Sequence, residues 1–366
     1  MRKIKIGVVT WNGSYNYGTN LQAYALCKFL EKSNCQVDFL VPIIPAVAKQ
    51  DFITQSKFFI LKIMAQLGIK KDKRLIQFLK LRKYIKNNFN YICWSTLSIQ
   101  EQSSYDLVLT GSDQIWNPNY FQEFNYLSFV PSDIKKYSYA SSIGVNEINE
   151  TAKLNYQRFL IDFEKISVRE KEGAEILAKC LNKDITVVPD PTFLLSQYEW
   201  RNIASHQYCS PPYSLFYFIG NNKDNWEQAI SMAQKNSKQP LLFIKSLEAK
   251  YTPRNLNLKC IDNIGPLEFV SLISNASSIY TDSFHGIVFS IIFNKEFFCF
   301  KRFTDKQNDS QNSRIYNLLQ TFELTDRIVQ PGKKLFQIVN WSNINLKIKE
   351  EQNKGISFIT KILESK

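Results

Sequence analysis

Histidine is rare in this sequence, and one of its two copies stands where proton transfer is feasible. His285 follows Ser283 and Phe284 and precedes Gly286, at a point where a predicted strand turns into a predicted helix. Its imidazole, with an ordinary pKa of about 6.5, can give or take a proton near neutrality. A core histidine bonded to backbone is the alternative. His206 lies in a polar loop, and we assign it no role.

Arg169 stands at the end of another predicted strand, in Ser167-Val168-Arg169-Glu170. A buried guanidinium is costly unless it meets an anion, and its planar fork fits a carboxylate or a phosphate. Arg169 is therefore a candidate clamp for an anionic ligand; an internal salt bridge with Glu170 or Asp190 is the alternative. Asp190, between two prolines, is expected to be structural and to order Arg169. Further cations that can lie near the same cleft are Lys301, Arg302 and Arg314.

Two loops carry polar side chains of the kind that bind sugar hydroxyls. The first follows the first predicted strand, and its glycine allows close backbone approach. Its candidate contacts are Asn16, Tyr17, Gly18, Asn20 and Gln22. In the second loop a carboxylate accepts hydroxyl protons and an indole covers apolar C–H groups. Its candidates are Ser112, Asp113, Gln114, Trp116 and Asn117. The alternatives are an ordinary strand-to-helix turn for the first loop and a helix cap for Asp113.

The elements that position these residues alternate between strand and helix. Apolar runs such as 4–9 and 278–281 predict buried strands that end at the loops above. Repeated βα units with short turns predict an α/β fold with parallel, doubly wound sheets, whose ligands gather at the carboxyl ends of the strands. We expect a first domain at residues 1–193, a second domain at 194–345 and a C-terminal helical tail at 346–366.

The sequence is strongly basic, with a formal charge of +13, which favours an anionic partner. Much of the excess lies in a predicted basic helical insert at about residues 49–90, where lysines and arginines interleave with apolar residues at helical spacing. Two interpretations stay open: solvated surface helices, or an interfacial element that rests on an anionic membrane surface. Nucleic acid is disfavoured, because no recognised binding motif accompanies the charge.

Composition excludes several classes of site. The seven cysteines are scattered without a CxxC pair, and two histidines are too few for a multi-histidine metal site. No apolar run reaches the roughly 20 residues that span a bilayer. The first apolar run is short and lacks a cleavage site, which favours a strand over a secretion signal. We therefore expect a cytoplasmic protein with no metal and no cofactor; nothing in the sequence indicates an oligomeric state.

Taken together and in order, these loops resemble the polysaccharide pyruvyl transferase family. The resemblance spans about residues 4 to 320, and each of its motifs is short. The matching segments are Asn16-Tyr17-Gly18 with Leu21-Gln22-Ala23, Gly111-Ser112-Asp113-Gln114-Ile115-Trp116-Asn117, Ser138-Tyr139-Ala140-Ser141-Ser142-Ile143-Gly144, Ser167-Val168-Arg169-Glu170, Val188-Pro189-Asp190-Pro191-Thr192, Thr281-Asp282-Ser283-Phe284-His285-Gly286 and Asn312-Ser313-Arg314-Ile315.

The resemblance implies two Rossmann-like domains in a GT-B-like arrangement, with the acceptor on the first domain, the donor on the second and a cleft between them. It implies phosphoenolpyruvate as the donor, a co-substrate, and a cyclic pyruvate ketal on a hexose as the product. Arg169 and His285 fall on positions that the family associates with the donor. Some members carry a basic residue two places before the histidine, where this chain has Ser283. The expected donor contacts are Arg169, Ser283, His285, Gly286, Lys301, Arg302 and Arg314.

We therefore expect a phosphoenolpyruvate-dependent, ketal-forming transferase. Arg169 is the expected anion clamp, His285 an acid or phosphate ligand, and Asp113 a base or orienter for the acceptor. The expected acceptor is a hexose of a surface polysaccharide or of its lipid-linked precursor, joined across the 4- and 6-hydroxyls, and the enzyme can sit peripherally on the inner face of the plasma membrane. The alternatives are a GT-B glycosyltransferase with a nucleotide-sugar donor, and a non-catalytic, membrane-associated partner in polysaccharide assembly.

Overall fold

A computed structural model describes residues 2–43, 63, 73–204, 212–236, 238–246, 249, 251, 253, 257–261, 264–303, 312–330 and 336–365. The first part of the predicted basic insert, residues 49–72 apart from Ile63, lies outside the described residues. Its second part contains a helix, Lys73–Asn88.

The first half of the chain forms a parallel sheet that has seven strands within the described residues, in the order β3-β2-β1-β4-β5-β6-β7. The strands are β1 Ile4–Val9, β2 Cys35–Val41, β3 Tyr91–Cys93, β4 Leu107–Thr110, β5 Lys135–Ser138, β6 Phe163–Val168 and β7 Ile185–Val187. The helices are α1 Tyr17–Lys32, α2 Lys73–Asn88, α3 Ile99–Gln102, α4 Glu150–Leu160, α5 Lys171–Leu181 and α6 Gln197–Ile203.

The second half forms a parallel sheet with five strands among the residues described, in the order β10-β9-β8-β11-β12. The strands are β8 Ser214–Tyr217, β9 Leu241–Ile244, β10 Leu258–Ile261, β11 Ser278–Thr281 and β12 Glu296–Cys299. The helices are α7 Lys223–Asn236, α8 Pro266–Asn275, α9 Phe284–Ile292, α10 Ser313–Thr321 and α11 Trp341–Glu364.

The strand order explains why the functional loops meet. In the first sheet the order reverses between β1 and β4, and in the second it reverses between β8 and β11. Such a reversal leaves a crevice at the carboxyl ends of the two central strands, since their connections leave in opposite directions. The central strands are apolar because they are covered on both faces; every residue of β4 and of β8 is buried. The sheets are parallel and doubly wound, as predicted.

Helices from the two halves pack directly on each other. Tyr17, at the start of α1, stacks on Phe269 of α8 with ring centroids 5.0 Å apart. Lys80 of α2 forms an ion pair with Glu268 of α8 at 2.7 Å. One hydrophobic cluster contains buried residues of both sheets, so the two halves share part of their core.

The last helix, α11, begins five residues before the predicted tail and returns to the first sheet. Phe358 packs near Tyr139, with ring centroids 6.3 Å apart, and the Gln352 amide donates to the Leu194 carbonyl at 3.1 Å. At Gly355 the helix backbone approaches so closely that an added Cβ would overlap the Tyr139 hydroxyl and lie 2.9 Å from Leu194 Cδ2. Neither α11 nor any other helix of the described residues has the length and apolar character that spanning a membrane requires.

Gly355→Ala tests this close approach, because packing and helix propensity change the free energy of unfolding in opposite directions. Alanine is intrinsically better in a helix by about 1 kcal/mol, whereas overpacking a buried contact costs about 1–3 kcal/mol. We expect the contact to dominate, so that the free energy of unfolding in urea falls by about 1 kcal/mol. Asn353→Ala, at an exposed position of the same helix, is the control and should leave stability equal or higher. A Gly355→Ala protein more stable than the parent would contradict this packing.

Candidate active site

A cavity of about 630 Å³ lies between the two sheets, at the carboxyl ends of their strands. The first sheet contributes the loops after β1, β2 and β4 to its wall. The second contributes Ile219 after β8, residues 283–285 after β11, Arg302 and Phe303 after β12, and Arg314 at the start of α10. The cavity therefore occupies the place where the strand order predicts a ligand.

A single buried carboxylate contacts nitrogen-bearing side chains from both halves of the chain. Asp190 Oδ2 lies 2.7 Å from Arg169 Nη1, which follows β6 of the first sheet. The same oxygen lies 3.6 Å from His285 Nε2, in the first turn of α9. The other oxygen, Oδ1, accepts hydrogen bonds from the backbone N–H and the hydroxyl of Thr192 at 3.0 and 2.7 Å. The guanidinium and the imidazole thus converge on one group, although they are more than a hundred residues apart in sequence.

The surroundings of Asp190 keep it ionised. Burial alone would raise the pKa of its carboxyl. This effect is outweighed by the contact with His285 and its charge, by the charge of Arg169 and by the Thr192 N–H. Together they hold the pKa of Asp190 well below its usual range. Ser112, which was a predicted sugar contact, is fully buried and directs its hydroxyl to Asp190 Oδ2 at 3.4 Å. The loop after β4 therefore supports this carboxylate.

Arg169 lies behind the cavity wall. Besides Asp190, its guanidinium contacts Glu170, with Nε 3.2 Å from Oε1, and it packs over the Phe284 ring at 4.1 Å from the centroid. The internal salt bridge that the sequence left open is therefore present, with both candidate carboxylates. Direct contact of Arg169 with a donor stays a prediction; its observed role is to hold Asp190 and thereby His285.

His285 reaches the cavity because two backbone segments leave room for it. The Ser283 side chain caps α9 by accepting from the Gly286 N–H at 3.3 Å, which places the imidazole in the first turn. A Cβ on Gly18 of α1 would overlap the imidazole ring, so glycine is required there. Gly286 lets α9 follow β11 tightly, since its Cβ would lie 2.6 Å from the Thr281 hydroxyl. Gly18 and Gly286 therefore position His285, while Ser283 also lines the cavity.

Two arginines supply positive charge to the cavity wall on the side of the second sheet. Arg302 Nη2 donates to the Asp282 carbonyl at 3.2 Å, and its Nε lies 3.8 Å from the Asp282 carboxylate. Arg314 is buried; burial and then the charge of Arg169 lower its pKa to about 10, so it stays charged at neutral pH. Lys301 is not in the wall, and its ammonium group lies over the Tyr316 ring, 5.5 Å from the centroid. A contact of Lys301 with the donor therefore stays a prediction, because its side chain is placed against Tyr316 of α10 and not in the wall.

Asp113 is the carboxylate of the wall on the side of the first sheet. Its backbone is left-handed, with φ at 67°, a conformation that aspartate tolerates better than most residues. Oδ2 accepts from the Thr19 hydroxyl at 2.7 Å, and Oδ1 accepts from the Gln114 N–H at 2.9 Å. These bonds fix the carboxylate at the cavity surface, where Asn16 and Gln114 also lie.

Several predicted sugar contacts are instead part of the scaffold. Trp116 is fully buried, its Nε1 donates to the Asn125 carbonyl at 3.2 Å, and its ring packs on Tyr126 and Phe163. Its indole cannot cover a sugar, because the core beneath the loop already occupies it. Tyr17 is likewise occupied by its stacking on Phe269.

The buried amides also face inward. Asn20 Oδ1 accepts from the Gly13 N–H at 2.8 Å, and Gln22 Nε2 donates to the Trp11 carbonyl at 3.0 Å. Asn117 Nδ2 donates to Gln114 Oε1 at 2.7 Å. None of the three lines the cavity, so they shape the loops rather than contact a ligand.

Sequence reasoning missed the aromatic residues of the wall, among them Trp11 and Tyr120. Trp11 lies two residues after the end of β1, so the strand-end rule selected its loop but not this side chain. Tyr120 lies beyond the motif that ends at Asn117, and no spacing pattern marks it. Both become visible only once the loops after β1 and β4 are brought together.

The ionisable groups of the wall are guanidinium, imidazole and carboxylate groups. In the part of the chain that the structure describes, no cluster of three or more His, Cys, Asp or Glu side chains is placed to hold a metal ion. The site residues offer cations for an anionic ligand and hydrogen-bond acceptors for hydroxyls.

Solved structures share this fold at low sequence identity. The UDP-GlcNAc 2-epimerase from Methanocaldococcus jannaschii is 13% identical, with a TM-score of 0.50 over 99% of this chain and 100% of that chain. The S. aureus MnaA–UDP co-structure is 13% identical, with a TM-score of 0.50 over 96% of this chain and 91% of that chain. These likenesses show the fold alone, and they confirm the predicted GT-B-like arrangement of two α/β units. None of the curated proteins compared with the chain matches it in sequence.

A family model identifies the protein family of this chain. The model described as Polysaccharide pyruvyl transferase matches residues 16–302, well over half of the chain. The match begins at Asn16 beside the cavity, ends at Arg302 and includes the Asp113, Asp190 and His285 segments. The chain is therefore a transferase and a member of the polysaccharide pyruvyl transferase family.

Proposed function

We propose that this chain transfers a pyruvyl group from phosphoenolpyruvate to a hexose of a surface polysaccharide, or of its lipid-linked precursor, and releases phosphate. One observation supports this above all: Arg302, Arg314 and His285 line the same cavity as the Asp113 carboxylate. Phosphoenolpyruvate carries a carboxylate and a phosphate, so it requires at least two cationic contacts. A neutral sugar needs an acceptor for the protons of its hydroxyls.

In the proposed complex, the donor lies against the second sheet. Arg302 and Arg314 bind its two anionic groups, and the amino-terminal end of α9 adds a favourable dipole beside Ser283. Arg314 is the more buried of the two, and an anion would offset the cost of burying its charge. Arg302 and Arg314 therefore take the clamp role that the sequence analysis gave to Arg169.

In the proposed reaction, His285 and Asp113 carry out the proton transfers of ketal formation. His285 protonates the methylene carbon of the donor, which becomes a methyl group and leaves an oxocarbenium-like centre. One sugar hydroxyl adds to that centre as its proton passes to Asp113. A second hydroxyl then displaces phosphate, which leaves with the remaining proton, and a six-membered ketal closes across the 4- and 6-positions. Proton transfer and charge stabilisation are the two contributions of the side chains.

Asp190 is a positioning residue in this mechanism. It contacts His285 but does not line the cavity, and Arg169 in turn contacts Asp190. A carboxylate beside the imidazole orients the ring and stabilises the imidazolium that acts as the acid. The ion pair behind the wall thus acts on the donor through His285.

A glycosyltransferase with a nucleotide-sugar donor is the second candidate. The fold likeness to the S. aureus MnaA–UDP co-structure favours it, since that protein holds a uridine nucleotide. The family match favours pyruvyl transfer. The two candidate functions differ in the anionic donor that the arginines bind. Titration of the protein with each donor therefore distinguishes them.

The cellular setting that we propose is the cytoplasm, at the inner face of the membrane. Its support is the basic composition of residues 49–86, which suits a surface of anionic lipid. A lipid-linked acceptor would be presented at the same surface.

Calorimetric titration distinguishes the donors. We expect phosphoenolpyruvate to bind and UDP-sugars not to compete with it. Arg302→Gln and Arg314→Gln should each raise the Kd for phosphoenolpyruvate by about 10- to 100-fold, the effect of losing one charge-assisted hydrogen bond. Lys301→Gln, one residue from Arg302 but outside the wall, should leave it within about twofold. Selective binding of a UDP-sugar would favour the glycosyltransferase instead.

Turnover tests the role of His285. Incubation with phosphoenolpyruvate and candidate saccharides, followed by mass spectrometry and phosphate assay, should reveal one ketal per phosphate released. We expect His285→Gln to lower kcat by about 100-fold or more, the usual contribution of a general acid, while phosphoenolpyruvate still binds. His206→Gln, at the other histidine of the sequence, is the control. A His285→Gln enzyme with kcat within a few fold of the parent would refute the assignment.

Asp190→Asn tests the ion pair through both stability and pH. The native pKa of Asp190 is depressed, so its stabilisation is complete above the unfolded pKa of about 4 and is lost as the pH falls below that value. We expect unfolding at pH 7 to show a loss of about 3–5 kcal/mol, the cost of breaking a buried pair. The difference from the parent should shrink between about pH 5 and pH 2. The exposed control Asp184→Asn should show no such trend; a pH-independent difference for Asp190→Asn would argue against the pairing.

A further inference from the structure

The wall of the cavity on the side of the first sheet has an aromatic surface to which the proposed mechanism assigns no role. Trp11 and Tyr120 line it together, with ring centroids 5.6 Å apart and ring planes at 68°. Tyr120 is 46% exposed and Trp11 is half-buried, so both rings keep surface open to a ligand. Asp113 lines the same cavity.

Buried amides hold this pair in place. Tyr120 ends a short 3-10 helix, Pro118–Tyr120, which the Asn117 side chain caps by accepting from the Asn119 N–H at 2.9 Å. Asn117 is itself held by Gln114. On the other loop, Gln22 donates to the Trp11 carbonyl at 3.0 Å. The scaffold amides therefore hold the backbone of the two loops that carry these rings, which are about a hundred residues apart.

Two rings at a steep angle, in the same cavity as a carboxylate, suit a pyranose. The apolar C–H face of the sugar can rest on one ring while its edge contacts the other, and its hydroxyls can reach hydrogen-bond acceptors at the rim. Polar side chains are at hand in the same wall, among them Asn12, Gln114 and Gln122. The cations lie on the side of the second sheet, so the aromatic pair is left for the uncharged substrate.

We propose that Trp11 and Tyr120 form the platform on which the pyranose ring of the acceptor rests, with the reacting hydroxyls directed towards Asp113. This inference rests on the proposed function for its acceptor, a hexose. A uridine base would stack on the same rings, and it is the competing occupant that the experiment must exclude.

Binding is measured first, without turnover. Saturation-transfer NMR is recorded with methyl β-D-galactopyranoside, methyl β-D-glucopyranoside, methyl α-D-mannopyranoside and UDP. We expect at least one glycoside to show saturation of its ring C–H protons, with loss of the signal in Trp11→Ala and Tyr120→Ala. Tyr198→Ala, an exposed aromatic residue outside the cavity wall, is the control and should keep the signal. Glycoside signals that persist in both alanine variants, no glycoside signal at all, or signals from UDP alone would overturn the inference.

Kinetics then tests the platform in the working enzyme. Trp11→Ala and Tyr120→Ala should each raise the acceptor KM about tenfold, the equivalent of about 1.4 kcal/mol, with the Kd for phosphoenolpyruvate within about twofold of the parent. Retained donor binding also shows that the variants fold. Trp11→Phe and Tyr120→Phe should restore most of the affinity, because each keeps an aromatic ring. An unchanged acceptor KM in both alanine variants would refute the platform.

The two proposals fail in different ways. Absence of phosphate release from phosphoenolpyruvate with every saccharide would refute the proposed donor, while the NMR comparison would still decide the platform. Normal pyruvyl transfer with an unchanged acceptor KM in the alanine variants would refute only the platform.

Discussion

The Asp190 carboxylate is buried between the Arg169 guanidinium and the His285 imidazole, which follow strands of different sheets, and the geometry of the site depends on it. A buried carboxylate without compensation is strongly destabilising, so Arg169 and the Thr192 N–H are needed to keep it charged. Once charged, it attracts the His285 imidazole across the boundary between the two halves. The same ion pair therefore stabilises the contact between the sheets and orients the proposed acid. Losing any partner would leave a charge in the interior, which explains why the cluster acts as a unit.

The cavity is divided by chemistry along the same boundary. Its second-sheet side carries Arg302 and Arg314 beside His285, whereas its first-sheet side carries Asp113 and an aromatic pair. Such a division suits a reaction between a small dianion and a neutral sugar, since each ligand meets the surface that matches it. In the proposed mechanism, the proton donor His285 then faces one ligand and the proton acceptor Asp113 faces the other.

The strand-end rule predicted the α/β fold correctly, and it selected His285, Asp113, Arg302 and Arg314, which all line one cavity. It worked because the carboxyl ends of parallel strands meet at one edge whatever their separation in sequence. It failed for Trp116, since residue type and spacing do not reveal which face of an irregular loop packs on the core. The same limit applies to the amides of Asn20, Gln22 and Asn117. A side-chain amide that can hydrogen-bond a sugar hydroxyl can equally hydrogen-bond a group of the protein itself. Tyr120 could not be found, because its place in the wall arises from the meeting of two distant loops.

The return of α11 to the first sheet has a mechanical consequence. The chain passes from the first sheet to the second and back again, so two covalent connections join the halves. A second connection lowers the entropy cost of bringing the halves together, because neither end of the second half is free. The long terminal helix thus helps to hold the second half against the first, although it supplies no residue to the cavity wall.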